Sequence, residues 1–330
     1  MRFGSVPLAE AEGGVLAHSV ALPGTRLRKG RVISAEDIAA LTAAGHDALV
    51  VARLDPGDVG EDAAAAQLAA ALVPDPGAAG LRIGRATTGR VNLHAAQIGV
   101  LEVDAARIDA VNAVHPMITV ATVRQWQSLP EKGMAATIKI ISYAVPGDAL
   151  AEACAEAGGA MRLHPLRHRS AQLIETVIGN EPPPPKGRRS IRNRLTRMGA
   201  ELGPAVTVPH ETAPLAAAIA ASEAEVILIL TGSATSDLHD TAPEALRAAG
   251  GTVRHFGMPV DPGNLLFFGQ LGEKPVIGLP GCARSPALNG ADWVLERILC
   301  GVEVTPRDVM GMGVGGLLKE PPSRPRPREG

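Results

Sequence analysis

Aromatic residues make up only 2% of this 330-residue chain: four Phe, two Trp and one Tyr. A core with so few rings has to be assembled from Ala, Val, Leu and Ile, whose short side chains let helices lie close to strands. Cysteine is scarce too. Cys154, Cys282 and Cys300 are odd in number and far apart, so neither a disulfide framework nor a structural zinc site is indicated. No run reaches the roughly 18 apolar residues of a membrane helix, and the first residues lack the basic start and apolar stretch of a secretion signal. A cytoplasmic protein with no membrane partner is therefore expected. A formal charge of −2 gives no overall attraction to a nucleic-acid backbone, so no nucleic-acid partner is expected either. What is plentiful is glycine (37) and proline (27), which demand many turns.

Length and pattern predict an α/β protein: a three-layer sandwich with a mostly parallel sheet, preceded by a smaller α+β domain. The expected division is an accessory α+β domain over 1–150, a connector over 151–169, an α/β domain over 170–301 and a tail over 302–330. In the first part, Ser34 and Asp37 read as a capping box ahead of a helix that Gly45 ends. From residue 171 strands and helices alternate. The run 226–230 (Val-Ile-Leu-Ile-Leu) is of the kind buried on both faces of a parallel sheet. A helix capped by Thr241 is predicted over 242–249, a strand over 276–279 and a last helix over 288–299. Residues 321–330, rich in Pro and Arg, are expected to be a mobile end.

Ligands of such sheets gather beyond the carboxyl ends of the strands. Three polar loops start there. In 231–240, Gly232 permits close approach, and Ser233, Thr235 and Ser236 offer hydroxyls beside the free N–H groups of a helix start, which suits phosphate. Asp237 and Asp240 in the same loop would repel that phosphate unless a cation such as Mg²⁺ lay between them; helix capping is the plain alternative for Asp240. The second loop carries Pro259, Asp261, Gly263 and Asn264, and the third Pro280, Gly281, Arg284 and Ser285, with Arg284 as a phosphate clamp. Lys186, Arg188, Arg189, Arg192, Arg194 and Arg197 form a basic run without an acidic residue. Lys186 and Arg188 are placed to neutralise a phosphate, while the residues further along are expected to face water. His164 and His168 have metal-like spacing, but Pro165 between them argues against a regular helix.

Several stretches, in order, resemble the molybdopterin-binding domain of the molybdopterin adenylyltransferase and molybdenum insertase type. They are Ile227-Leu228-Ile229-Leu230-Thr231-Gly232-Ser233, Asp240-Thr241-Ala242-Pro243-Glu244-Ala245 and Gly278-Leu279-Pro280-Gly281. The likeness spans about 170–300. It implies a three-layer α/β fold whose strand-end loops hold molybdopterin or its nucleotide adduct, with molybdate as a further species, and it matches Asp240 to a family aspartate of the nucleotide and metal step; Asp237 in the same loop joins Asp240 as the expected catalytic and metal pair with Mg²⁺. Ser233 stands where the family has a second glycine, Asp261 and Asn264 where insertases have lysines, and Cys282-Ala283 where they have Asn-Pro. Three roles stay open: a nucleotidyltransferase or insertase-like enzyme of cofactor biosynthesis, a carrier that hands cofactor to a molybdoenzyme or maturation partner, and a cofactor-sensing regulator. A homo-oligomer is left open too.

Overall fold

The computed structural model describes residues 1–261 and 263–318. The chain divides into two compact units. The first comprises Met1–Gln97, Leu101–Gln125 and Glu131–Leu163. Its strands Arg2–Pro7, Ala48–Arg53 and Val15–Leu16 pair antiparallel. A second antiparallel sheet runs Ile118–Thr122, Met134–Ile140, Arg90–Ala95 and Leu81–Ile83. The helix Ala35–Ala43 starts at the capping box read from the sequence: Ser34 Oγ accepts from the Asp37 N–H, and Asp37 returns a carboxylate to the Ser34 N–H. Leu8, Leu16, Ile33, Leu41 and Val51 close a small core beneath it. The alanine-rich helix Glu61–Leu72 buries Ala64, Ala65, Leu68 and Leu72 along one face. Residues 151–163, expected as connector, belong to this unit, with helix Gly147–Ala157 and the start of strand Met161–Pro165.

The second unit comprises Ile98–Val100, Trp126–Pro130 and the chain from His164 onward. Its elements are β1 (Ser170–Val177), α1 (Pro185–Arg197), β2 (Glu201–Leu202), β3 (Val206–Pro209), α2 (Thr212–Ala220), β4 (Val226–Leu230), α3 (Thr241–Ala248), β5 (Thr252–Met258), β6 (Asn264–Leu271), β7 (Lys274–Gly278), α4 (Gly290–Leu299) and α5 (Pro306–Met310). One seven-stranded sheet runs β2-β1-β4-β7-β6-β5, with β3 also on β1. β1 pairs parallel with β2, β3 and β4, and β4 parallel with β7. β6 is antiparallel to both β5 and β7.

All five residues of β4 are buried, and alternation sends them to two different cores. Leu228 and Leu230 pack with Ile191 and Leu195 of α1 and Val294 and Leu295 of α4. Ile227 and Ile229 pack with Leu215 and Ile219 of α2 and Ala245 and Leu246 of α3. Each such aliphatic side chain contributes about 1.5–3 kcal/mol by leaving water, so the sheet is held from both sides.

Three local differences from the sequence reading have physical causes. β5 and β6 were not anticipated as strands, because Gly257 and Gly269 break their apolar alternation; the β5–β6 ladder shifts register at Val253/His255 and Phe256/Met258. The cap of α3 is Asp240, whose carboxylate accepts from the Thr241 N–H, and Thr241 is the first helical residue. Residues 302–318 are not a loose tail. Thr305 and Asp308 form a capping box for α5, and Val304, Val309 and Met312 are buried with the α1/α4 core. The expectation of a mobile end at 321–330 lies outside the described residues.

α4 also buries a titratable face. Glu296 sits one turn after Asp292, within reach of Ser128 and near Arg197 and Arg194. Burial, aided by the neighbouring Asp292 charge and opposed by the Ser128 hydrogen bond and the two arginines, pushes its carboxyl from the ordinary 4.5 up to about 7. Folded protein therefore holds this proton where unfolded chain has lost it. The associated stability is complete below pH 4.5 and declines as pH rises through about 7, by on the order of 3 kcal/mol. Glu296→Gln is expected to flatten that decline and to be more stable than wild type at pH 8 but not at pH 4.5, as read by denaturant unfolding at both pH values.

Candidate functional site

The carboxyl ends of β1, β4 and β7 lie together at one edge of the sheet, because these strands are parallel. On the α1/α4 side of that edge is a cavity of about 460 Å³. The first turn of α1 supplies Lys186 and Gly187, and the segment after β7 supplies Gly281, Cys282, Arg284 and Asn289. No side chain caps α1, and Pro185 at its first turn has no N–H to satisfy, so the positive end of a 13-residue helix faces the cavity. Lys186 is exposed, whereas Gly187 is buried. A Cβ on Gly187 would lie 3.2 Å from Leu230 and 3.3 Å from the Arg284 stem, tight enough that only glycine lets α1 start this close to the sheet.

The wall after β7 is held from below by a residue expected to face water. Arg194 is 5% exposed. Its Nε donates to Asp292, its Nη1 to the Ala283 carbonyl at 2.9 Å, and its Nη2 to the Ser285 and Ala287 carbonyls, each at 2.9 Å. Ser190 Oγ adds a bond to the Arg284 carbonyl at 2.9 Å. Asn289 caps α4, accepts from Asn264 Nδ2 and donates from its own Nδ2 to Cys282 Sγ at 2.8 Å. A helix facing its neighbour every three to four residues puts Ser190 and Arg194 on one stripe; charge counting alone did not separate that stripe from the solvated one.

Of the residues singled out from the sequence, Lys186, Gly281, Arg284 and Ser285 meet at this cavity. Pro280 is the cap of the short turn Gly281–Arg284 beside it. Arg188 lies apart from the lining, with Nη2 donating to the Gly203 carbonyl and Nη1 buried without a partner. Asp261 and Asn264 turn inward. Asp261 accepts from the Leu318 N–H at 3.0 Å and donates its own N–H to Gly316, and Asn264 is buried against Asn289. Pro259 is covered by Gly313, and Gly263 continues this β5–β6 hairpin. This loop is thus tied to the C-terminal segment.

The 231–240 loop is largely self-satisfied. The Gly232 N–H donates to Thr176 Oγ1 at 2.8 Å, and a Cβ on Gly232 would come 2.8 Å from the Thr176 carbonyl. Thr176 also bonds His210 Nδ1 at 2.8 Å. Asp240 accepts from the N–H groups of Ser236 and Thr241, and Asp237 from that of His239. Burial raises the Asp240 carboxyl, but these two N–H groups and the His210 charge outweigh it and leave the carboxyl below the usual range. The helix start expected to meet a phosphate is occupied by this carboxylate. Ser233 is exposed and Thr235 is buried, and Ser236 Oγ bonds the Ala234 carbonyl. The loop joins the cavity through Thr231, whose carbonyl accepts from Arg284 Nη2 at 2.6 Å.

No group of three or more His, Cys, Asp or Glu side chains among the described residues is gathered as a metal site, which includes His164 and His168. All three cysteines are free; burial pushes the Cys300 thiol up to about 12. Among the described residues, no helix is long and apolar enough to cross a membrane.

Arg194→Met is expected to destabilise the protein by about 3–5 kcal/mol, because Asp292 would remain buried without its partner and three carbonyls would lose their donor. Arg194→Lys should fall between, since one ammonium cannot span the same fork. Denaturant unfolding of the three proteins measures the order.

Residues 186–299 match the family described as "probable molybdopterin binding domain", and residues 5–53 match a family described as a domain of unknown function. No curated protein matches. Solved structures with some likeness include a molybdopterin biosynthesis MoeA protein from Pyrococcus horikoshii, at 15% identity and TM-score 0.28 over 94% of this chain and 76% of that one. Another is a molybdenum cofactor biosynthesis protein B, at 16% identity and TM-score 0.30 over 40% of this chain and 90% of that one. Overlaps with such low TM-scores add nothing to the match at 186–299. That match spans α1 to α4, the elements that build the cavity, so this part of the second unit is similar to the probable molybdopterin binding domain family.

Proposed function

We propose that this protein binds molybdopterin or its nucleotide adduct and acts in biosynthesis or maturation of the molybdenum cofactor, with the anionic end of the ligand in the cavity between α1 and the segment after β7. The observation that carries this reading is the convergence there of the uncapped start of α1, Lys186 and Arg284. Arg284 spends one N–H on the Thr231 carbonyl, which fixes the guanidinium at the end of β4 while the remainder of its fork lines the cavity. A phosphate seated there would meet a helix dipole, an ammonium and a guanidinium. We read the sheet, with helix pairs α1/α4 and α2/α3 on its two faces, as the three-layer α/β arrangement of this domain type.

If the protein transfers a nucleotidyl group or cleaves an adduct, these same groups would stabilise charge on the phosphoryl oxygens. Mg²⁺ and molybdate are implied by the resemblance. Asp237 and Asp240 are engaged with backbone N–H groups, and the described side chains do not by themselves form a metal cage, so no step is assigned to a metal. That engagement favours a second reading, a carrier that delivers cofactor to a molybdoenzyme, because a carrier needs the cavity and not a working Asp240.

Calorimetric titration of molybdopterin tests the placement of the ligand. Lys186→Glu and Arg284→Glu are expected to weaken binding at least about tenfold each, since each replaces an attraction to phosphate by a repulsion. Asp240→Asn should leave affinity within about twofold and reduce stability by less than about 1 kcal/mol, as for a helix cap. Undiminished binding by both charge-reversal variants would move the ligand away from this cavity.

A further inference from the structure

Near the carboxyl end of β1, Glu175 faces the α1/α4 side, two positions beyond Leu173, which lies in that core. It is 5% exposed. No hydrogen-bond donor among the described residues reaches its carboxylate. Only the fields of Arg188 and Arg284 offset its burial, and burial wins, pushing the carboxyl up. Its Oε1 lies 3.7 Å from the point a Cβ on Gly187 would occupy, and Gly187 and Arg284 both line the cavity. A missing side chain therefore separates the cavity from a largely buried carboxylate that no described donor bonds. Close by in electrostatic effect, Arg188 keeps a buried Nη1 without an acceptor. A buried acceptor left unsatisfied beside a cavity-lining glycine is one that a ligand can satisfy.

We propose that Glu175 is a specificity-determining residue of this cavity, accepting paired N–H donors from a heterocycle with an amino-pyrimidinone edge, while Lys186 and Arg284 hold the same ligand's phosphate. A carboxylate offers two adjacent acceptors, and an amino group beside a ring N–H offers two parallel donors, so the pair is bidentate. This deepens, and rests on, the assignment of the cavity to a pterin phosphate. It explains why a carboxylate is kept in a cavity otherwise lined for anions: alone it opposes phosphate, but it is matched to the far end of a ligand that carries both groups.

The test compares 6-(hydroxymethyl)pterin phosphate with phenyl phosphate, which has the ester but not the donor edge, by calorimetry on the full chain and on Glu175→Gln. Wild type should prefer the pterin ester. Gln keeps the size but presents an NH₂ to one of the two donors, so the variant should lose about 10- to 100-fold for the pterin ester, in line with a buried hydrogen bond to a charged group. Its affinity for phenyl phosphate should be retained or tightened, because the charge that opposes phosphate is gone, and that retained binding also shows the cavity to be folded. The inference is overturned if wild type does not discriminate the two esters, if Glu175→Gln binds the pterin ester as wild type does, or if both affinities fall together. Wild type that binds neither ester would instead remove the pterin-phosphate assignment on which it stands.

Discussion

The cavity in the second unit depends on one buried cation. Arg194 gathers Asp292 and the carbonyls of Ala283, Ser285 and Ala287, and so fixes a segment that has little regular structure of its own. A loop with several inward carbonyls would carry unsatisfied acceptors into a dry interior, at about 1–3 kcal/mol each. One planar guanidinium with its donors in a fixed fork satisfies three of them and neutralises the capping carboxylate of α4. The same contact ties α1 to α4 on one face of the sheet. Because Arg284 rises from this segment and reaches the end of β4, the position of its cavity-lining guanidinium is inherited from the Arg194 clamp.

The carboxyl edge of the sheet is divided by the pleat into two polar neighbourhoods. Glu175 faces the α1/α4 side, while its neighbour Thr176 faces the other and links the Gly232 N–H to His210. On that second side, N–H groups are matched by Thr176, Asp237 and Asp240, which makes a finished turn structure. On the first side the donors and acceptors remain partly unmatched, with an open helix start, Lys186, Arg284 and a buried Glu175. Unfinished polar accounting, and not loop composition, separates the cavity side from the self-satisfied side here.

Much of the second unit was legible because its strands and helices repeat one local rule. The Val226–Leu230 run has the continuous apolar character of a strand buried on both faces, and α2, α3 and α4 follow apolar spacing and end signals. β5 and β6 were illegible where glycines interrupt alternation and the ladder slips. Within the candidate site, Lys186, Gly281, Arg284 and Ser285 were visible as polar residues after strands. Gly187, Asn289 and Arg194 were not, since a buried arginine and a solvated one have the same sequence signature in a basic run, and an approach-permitting glycine inside a helix looks like any other.

The amino-acid sequence alone determined the element types of the second unit and the loops in which polar chemistry could gather, since hydrophobic period, caps and turn residues act over a few neighbouring positions. Only the tertiary structure decided which of those loops has spare hydrogen-bonding capacity. Asp240 closes its own helix start, Asp261 is bound to the C-terminal segment, and Arg194 is drawn under the wall of the cavity. Each of these outcomes depends on which partner a side chain reaches, whether next to it or tens of residues away, and it is this pairing that leaves the start of α1 and Arg284 facing the cavity.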